Sequence, residues 1–458
     1  MAKKSSNTKK SSSTKKSSST KKSSSTKSST KSSTKGSSTE NGSDASKSPA
    51  PPEDQLELDA SWRTPESSRG SEEDDLVGDD PDVLEDDGFG DTRDEDLPAE
   101  DRGEDDSEDE VEDEYYTALE QEAGIDGDLV SSEHATNESP NRGELTPRES
   151  MHAGAVLGAA IGDAMGHPTE FMGSVQSIRD KYGPDGVTGF ELYWERDSKR
   201  FAPYTDDTQM AEVVLRALLA SREGSEDLDA AMNRMGRGFI EWSERPQGGH
   251  RAPGNACLSG CRALARGTPW SEAGSATAGG CGSVMRAYPF GLVFADDLRR
   301  AERWSVAHSK LTHGDPIALA ASAAMAVGVA RVARGEPDDM VLSEMVAAAC
   351  RYSARTASMM ATAIDEAQSG VGPEETLKRL QGWAAHEAIA AAVYIFARHS
   401  NDPRSAILEG TNTPGDSDSL ATLAGALVGA RCGVDALPRQ WVNEVERRQD
   451  LWNLSLRI

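Results

Sequence analysis

Thr205-Asp206-Asp207-Thr208 sets two adjacent carboxylates between two hydroxyls, and an apolar helical run follows at once through Met210, Val213, Val214, Ala217 and Leu218. Thr205 stands where an N-cap would, so both acids fall in the first turn, where the partial positive charge of the helix favours them. Capping needs only one such residue, and this stretch alone fits plain capping as well as chemistry. A second start of the same kind lies far along the chain. There Asp416-Ser417-Asp418-Ser419 leads into Leu420, Leu423, Ala424, Leu427 and Val428. Acid pairs flanked by hydroxyls suit a hard divalent cation, because Mg²⁺ or Mn²⁺ takes oxygen ligands and keeps water among them. Four carboxylates exceed what one Mg²⁺ normally takes from protein, so two ions are expected.

Three further stretches could carry chemistry. Gly158 to Phe171 is rich in glycine, which lets backbone come close to a ligand or to another helix, and Glu170 ends it just past a Gly-x-Pro turn. A carboxylate there is either aimed at something or simply solvated. Gly279-Gly280-Cys281-Gly282-Ser283-Val284-Met285-Arg286 is a glycine-rich loop entering a helix or turn, and such loops can offer N–H groups to phosphate oxygens. Thr312-His313-Gly314-Asp315 stands directly before a long alanine-rich run. His313 there is a ligand or substrate donor, or else a packed or capping histidine.

The elements that must position these groups are helices. Thr146-Pro147-Arg148-Glu149 carries a capping box with proline at the first helical position, and ordered structure is expected from there on. Helical periodicity then recurs over 210–223, 226–243, 254–266, 297–309, 315–334, 340–351, 354–369, 374–399 and 418–432, with few alternating stretches. Alanine and glycine on helix faces allow close approach, so residues 146–458 are expected to form one all-α domain, a compact orthogonal arrangement of helices. The run from Ile317 to Val332 is short and interrupted for a bilayer span, and no membrane is expected. Five cysteines without a Cys-x-x-Cys pair suit reduced thiols in a cytoplasmic protein, with Cys257 and Cys261 as core residues.

The net charge of −29 over 458 residues hides three unlike pieces. Residues 1–50 hold twelve lysines and two acids in repeats of Lys-Lys-Ser-Ser-Ser-Thr, whereas 51–150 hold thirty-eight acids and six arginines. Neither has the apolar content to offset the entropy of ordering, so 1–50 and 51–145 are expected to be disordered. No apolar segment follows the first lysines, which argues against a signal peptide. The basic arm could touch nucleic acid or another acidic partner, or pair with the acidic segment behind it. The remainder carries −7, an ordinary balance.

Taken together the stretches resemble the ADP-ribosylglycohydrolase family, the group that includes dinitrogenase reductase-activating glycohydrolase, over roughly 151–445. Gly158-x-x-x-Gly162-Asp163-Ala164-x-Gly166-x-Pro168-x-Glu170-Phe171 is similar to its opening signature. Thr205-Asp206-Asp207-Thr208 and Gly415-Asp416-x-Asp418-Ser419 resemble its two metal motifs, Ser283-Val284-Met285-Arg286 its substrate loop and Thr312-His313-x-Asp315 its middle motif. The resemblance implies a binuclear Mg²⁺ or Mn²⁺ centre ligated by Thr205, Asp206, Asp207, Asp416, Asp418 and Ser419. It implies substrate contacts from Gly280, Gly282, Ser283, Met285 and His313. It also implies release of ADP-ribose from an ADP-ribosylated protein or small molecule, with Glu170 the first candidate for gate or acid/base and Asp207 the second. A monomer is expected. Two departures stand out: Cys281 where the family usually has asparagine between the two glycines, and Ser419 where threonine is common. The rival classes are an inactive ADP-ribose-binding module and a metal-dependent phosphohydrolase.

Overall fold

The computed structural model describes residues 145–196 and 198–458; the expectations for residues 1–144 lie outside the described residues. Order starts with the capping box. Thr146 accepts the Glu149 N–H, and the Glu149 carboxylate accepts the Thr146 N–H at 2.7 Å. Helix α1 (Pro147–Gly166) follows, then α2 (Val175–Tyr182), a small hairpin of β1 (Trp194–Arg196) and β2 (Lys199–Phe201), α3 (Asp206–Glu223), α4 (Leu228–Glu244) and α5 (Asn255–Ala265). Beyond a long loop come α6 (Tyr288–Val293), α7 (Leu298–Ser309), α8 (Pro316–Ala333), α9 (Asp338–Cys350) and α10 (Ala354–Ser369). The chain continues through α11 (Pro373–Arg379), α12 (Ala385–His399), α13 (Pro403–Thr411), α14 (Ser417–Cys432), α15 (Arg439–Glu444) and α16 (Arg448–Ser455). The fold is all-α, as the periodicity requires.

Its spine is the antiparallel pair α1 and α14, the most extensive helix contact. Glycines recur every fourth residue on α1, at Gly154, Gly158, Gly162 and Gly166, and face Gly429, Gly425, Ala421 and Ser417 in that order. A Cβ on any of these four glycines would run into partner backbone. The close approach named as one option for the glycines is therefore made to a helix. Interior glycine costs a helix about 1 kcal/mol relative to alanine. Here that cost is outweighed, because no side chain of any size fits between the two backbones. The register decides the function: it lays the C-terminus of α1, with Asp163, His167 and Glu170, against the N-terminus of α14 with Asp416 and Asp418.

Helix α8 is buried against α6, α7, α9, α12 and α14, and its apolar length is accounted for by that packing. One expected helix is two. The stretch 374–399 breaks at 380–384, where Gly382 takes φ +93° and lies against Asp416 and Leu420. The interruption has a use: the Gln381 carbonyl accepts the Asp416 N–H at 2.8 Å, and Trp383 is carried to the mouth of the site.

Candidate active site

The turn before α3 is built around Asp163, an acid buried within apolar α1. Its carboxylate accepts the Thr205 N–H at 2.7 Å, the Thr208 N–H at 2.9 Å and the Thr208 hydroxyl at 2.5 Å. From the other side, Arg251 donates to the Tyr204 carbonyl at 2.7 Å while its own carbonyl accepts the Asp206 N–H. Glu446 holds that arginine at 2.6 and 3.0 Å. The Thr205 hydroxyl caps the helix by accepting the Asp207 N–H. Asp206 and Asp207 are thus released from capping and still nearly buried.

At the second turn Asp416 is the residue before α14, yet its side chain makes no capping bond. Gly415, at φ +104°, lies against Gln381 and joins the loop after Glu170 through Phe171 N–H to Gly415 carbonyl and Gly415 N–H to Met172 carbonyl. The two acidic starts meet. The Ser419 hydroxyl donates to Asp207 Oδ2 at 3.0 Å, and Asp418 lies within 4.8 Å of a ring nitrogen of His167 and a Glu170 oxygen. His167 Nδ1 is itself 3.2 Å from Glu170 Oε2.

So many carboxylates in one dry place shift one another. Burial, then Asp418, pushes Asp206, Asp207, Asp416 and Glu170 well above the usual carboxylate range. Asp163 rises to about 6 for the same two reasons, with the Thr208 and Thr205 hydrogen bonds holding it back. Such a cluster is costly unless protons or cations neutralise it. The donors are carboxylate and hydroxyl oxygens plus one imidazole, a set that fits Mg²⁺ or Mn²⁺.

These groups open onto a cavity of about 1210 Å³. Its wall includes Glu170, Asp206, Asp207, Asp416, Asp418 and Ser419, together with Gly280, Gly282, Met285 and His313. Two of the expected site residues stand behind the wall. Thr205 is the cap just described, and the buried Ser283 hydroxyl accepts from Ser309 at 2.8 Å and Ser322 at 3.2 Å. In the glycine-rich loop, the Cys281 N–H is already given to the Trp383 carbonyl and is not open to a phosphate. Gly282 is obligatory for space, since a Cβ there would meet Cys257 and the His313 ring.

The cavity also holds groups that the sequence had not assigned to the site. Cys257 and Cys261, expected as core, line it, as do Trp383 and Phe171, whose rings stack at 5.2 Å. Asp163 and His167 were visible as polar residues inside or ending an apolar helix, and that was a usable signal. Trp383 had none, because it depends on where the 374–399 stretch breaks.

The class of protein follows from this fold and cavity. The ADP-ribosylglycohydrolase family model matches residues 145–458, and the chain belongs to that family. It is 27% identical over 317 residues to ADP-ribosylarginine hydrolase Tri1 of Pseudomonas putida (strain GB-1), covering 68% of this chain and 79% of that one. It is 28% identical over 302 residues to ADP-ribosyl-[dinitrogen reductase] glycohydrolase of Rhodospirillum rubrum, covering 64% and 90%. Among solved structures, an ADP-ribosylglycohydrolase-related protein complex aligns with a TM-score of 0.51 at 25% identity, covering 68% of this chain and 98% of the other.

Proposed function

We propose that residues 145–458 form a metal-dependent hydrolase that cleaves the glycosidic bond between ADP-ribose and a modified group, reversing ADP-ribosylation. The observation that carries this reading is the meeting of the two acidic turns, Asp207 with Ser419 and Asp418 with Glu170, on the wall of one large cavity. Asp206, Asp207, Asp416, Asp418 and Ser419 would hold two Mg²⁺ or Mn²⁺ ions, which when bound orient the ribose hydroxyls and polarise a water.

The chain's own groups do the rest. Gly280, Gly282, Met285 and His313 line the cavity, and the pyrophosphate would lie against them. As the bond to C1″ breaks, positive charge grows on the sugar and the neighbouring carboxylates favour it. The water oxygen bonds to C1″, and one water proton leaves through a carboxylate to the departing nitrogen or oxygen. Glu170 is the first candidate for that transfer, a role supported by its hydrogen bond to His167 and its position beside Asp418; Asp207 is the second.

The test is chromatography of products after the full chain with Mg²⁺ or Mn²⁺ meets ADP-ribosyl-arginine, ADP-ribosyl-serine and ADP-ribose. Free ADP-ribose from either conjugate supports the reading. Conjugate retained without cleavage would indicate a binding module, and AMP a phosphohydrolase; either contradicts it. Glu170→Gln should lower turnover by about 10²–10⁴-fold while ADP-ribose still binds.

A further inference from the structure

We propose that Arg286 and Thr312 are positioning residues that lock His313 in the tautomer carrying its hydrogen on Nε2, so that the cavity presents a fixed N–H donor to a phosphate oxygen of its ligand. Arg286 is fully buried, with its guanidinium over the Phe239 ring at 4.5 Å. It forms no ion pair among the described residues; its donors go instead to His308, Met210, Cys257 and Thr312. An arginine can only donate. The 2.6 Å contact from Nη2 therefore makes the Thr312 oxygen an acceptor, and the positive charge turns the hydroxyl hydrogen away from the guanidinium.

Among the described residues, the only other polar atom on that hydroxyl is His313 Nδ1, at 2.7 Å. Were Nδ1 to carry the ring hydrogen, it too would point at the Thr312 oxygen, and a buried hydroxyl hydrogen would be left without an acceptor. That arrangement costs about 1–3 kcal/mol. Nδ1 accepts, and the hydrogen resides on Nε2. Burial and then Arg286 push the His313 imidazole down to about 3, which keeps the ring neutral.

Nε2 faces the glycine loop. A Cβ on Gly282 would stand 3.2 Å from it and one on Gly280 3.7 Å, so both glycines leave that edge open to the cavity. The same arginine sets a second histidine the opposite way. Arg286 Nε donates to His308 Nε2 at 3.1 Å, and His308 Nδ1 faces the Ser305 carbonyl at 3.0 Å. A carbonyl can only accept, so His308 carries its hydrogen on Nδ1.

The test uses the full chain with ¹⁵N-labelled histidine, its ring nitrogens read by NMR without ligand and its ADP-ribose affinity by calorimetry. The expected spectrum shows opposite tautomers, Nε2–H for His313 and Nδ1–H for His308, in the wild type and in Thr312→Ser. Thr312→Val should lose the single His313 tautomer and bind ADP-ribose about tenfold more weakly. Nδ1–H on His313 in the wild type would overturn the proposal, as would a Thr312→Val protein with the same tautomer. The ligand in this proposal rests on the hydrolase reading. The spectrum does not, so failure of wild type to bind ADP-ribose is distinguishable from failure of the relay. Thr312→Ser keeps the hydroxyl and reports the relay should the valine variant not fold.

Discussion

Stripping divalent cations should cost this protein more stability at about pH 8 than at about pH 5.5. Asp206, Asp207, Asp416 and Glu170 are raised by burial and by Asp418, and Asp163 sits at about 6 against an ordinary 3.8. In the unfolded chain all of them ionise in the ordinary range, near pH 4. Between the two values the folded chain holds more protons than the unfolded one, so stability falls as pH rises through the raised values. For Asp163 alone, moving from 3.8 to about 6 amounts to about 3 kcal/mol once it is ionised. Bound cations take over the neutralising role of those protons. At roughly a hundred times its dissociation constant, a cation that binds only the folded state adds about 2.7 kcal/mol. Thermal melts with chelator and with Mn²⁺ at both pH values check this, and the cation-dependent rise in Tm should be larger at the higher pH. Asp207→Asn adds a sharper arm. With one buried charge removed, the chelated variant should be more stable than chelated wild type at about pH 8, by about 1 kcal/mol or more. Equal cation-dependent shifts at both pH values, or a chelated Asp207→Asn less stable than wild type, would refute the reasoning.

Two further outcomes follow from the scaffold. Gly158→Ala gains helix propensity but drives a Cβ into the Gly425 carbonyl, so net destabilisation of about 1–3 kcal/mol is expected in urea unfolding. Because the same contact sets the register of the two acidic turns, cation affinity should fall with it. Glu446→Gln strips the carboxylate from buried Arg251 and should cost about 3–5 kcal/mol, read by the same unfolding assay.

Much of the site was legible because its chemistry is local. Asp206-Asp207 and Asp416-x-Asp418 each announce an acidic helix start, and the capping box at Thr146 fixes where α1 begins. The glycine spacing on α1 was legible as close approach but not as a partner, since a pattern on one helix does not name the helix it meets. The division of labour inside each motif was hidden for a related reason. That the Ser283 hydroxyl faces the Ser309 and Ser322 hydroxyls, and not the cavity, is decided by tertiary contacts. Gln381 and Trp383 were missed because apolar periodicity carried the 374–399 stretch across a break that Gly382 makes.

The two acidic turns are expected to share the same bound cations. Calorimetric titration of Mn²⁺ into wild type, Asp207→Asn and Asp418→Asn, all as full chains at neutral pH, tests it most directly. Each substitution alone should weaken binding by about tenfold or more. Wild-type affinity in either variant would contradict it.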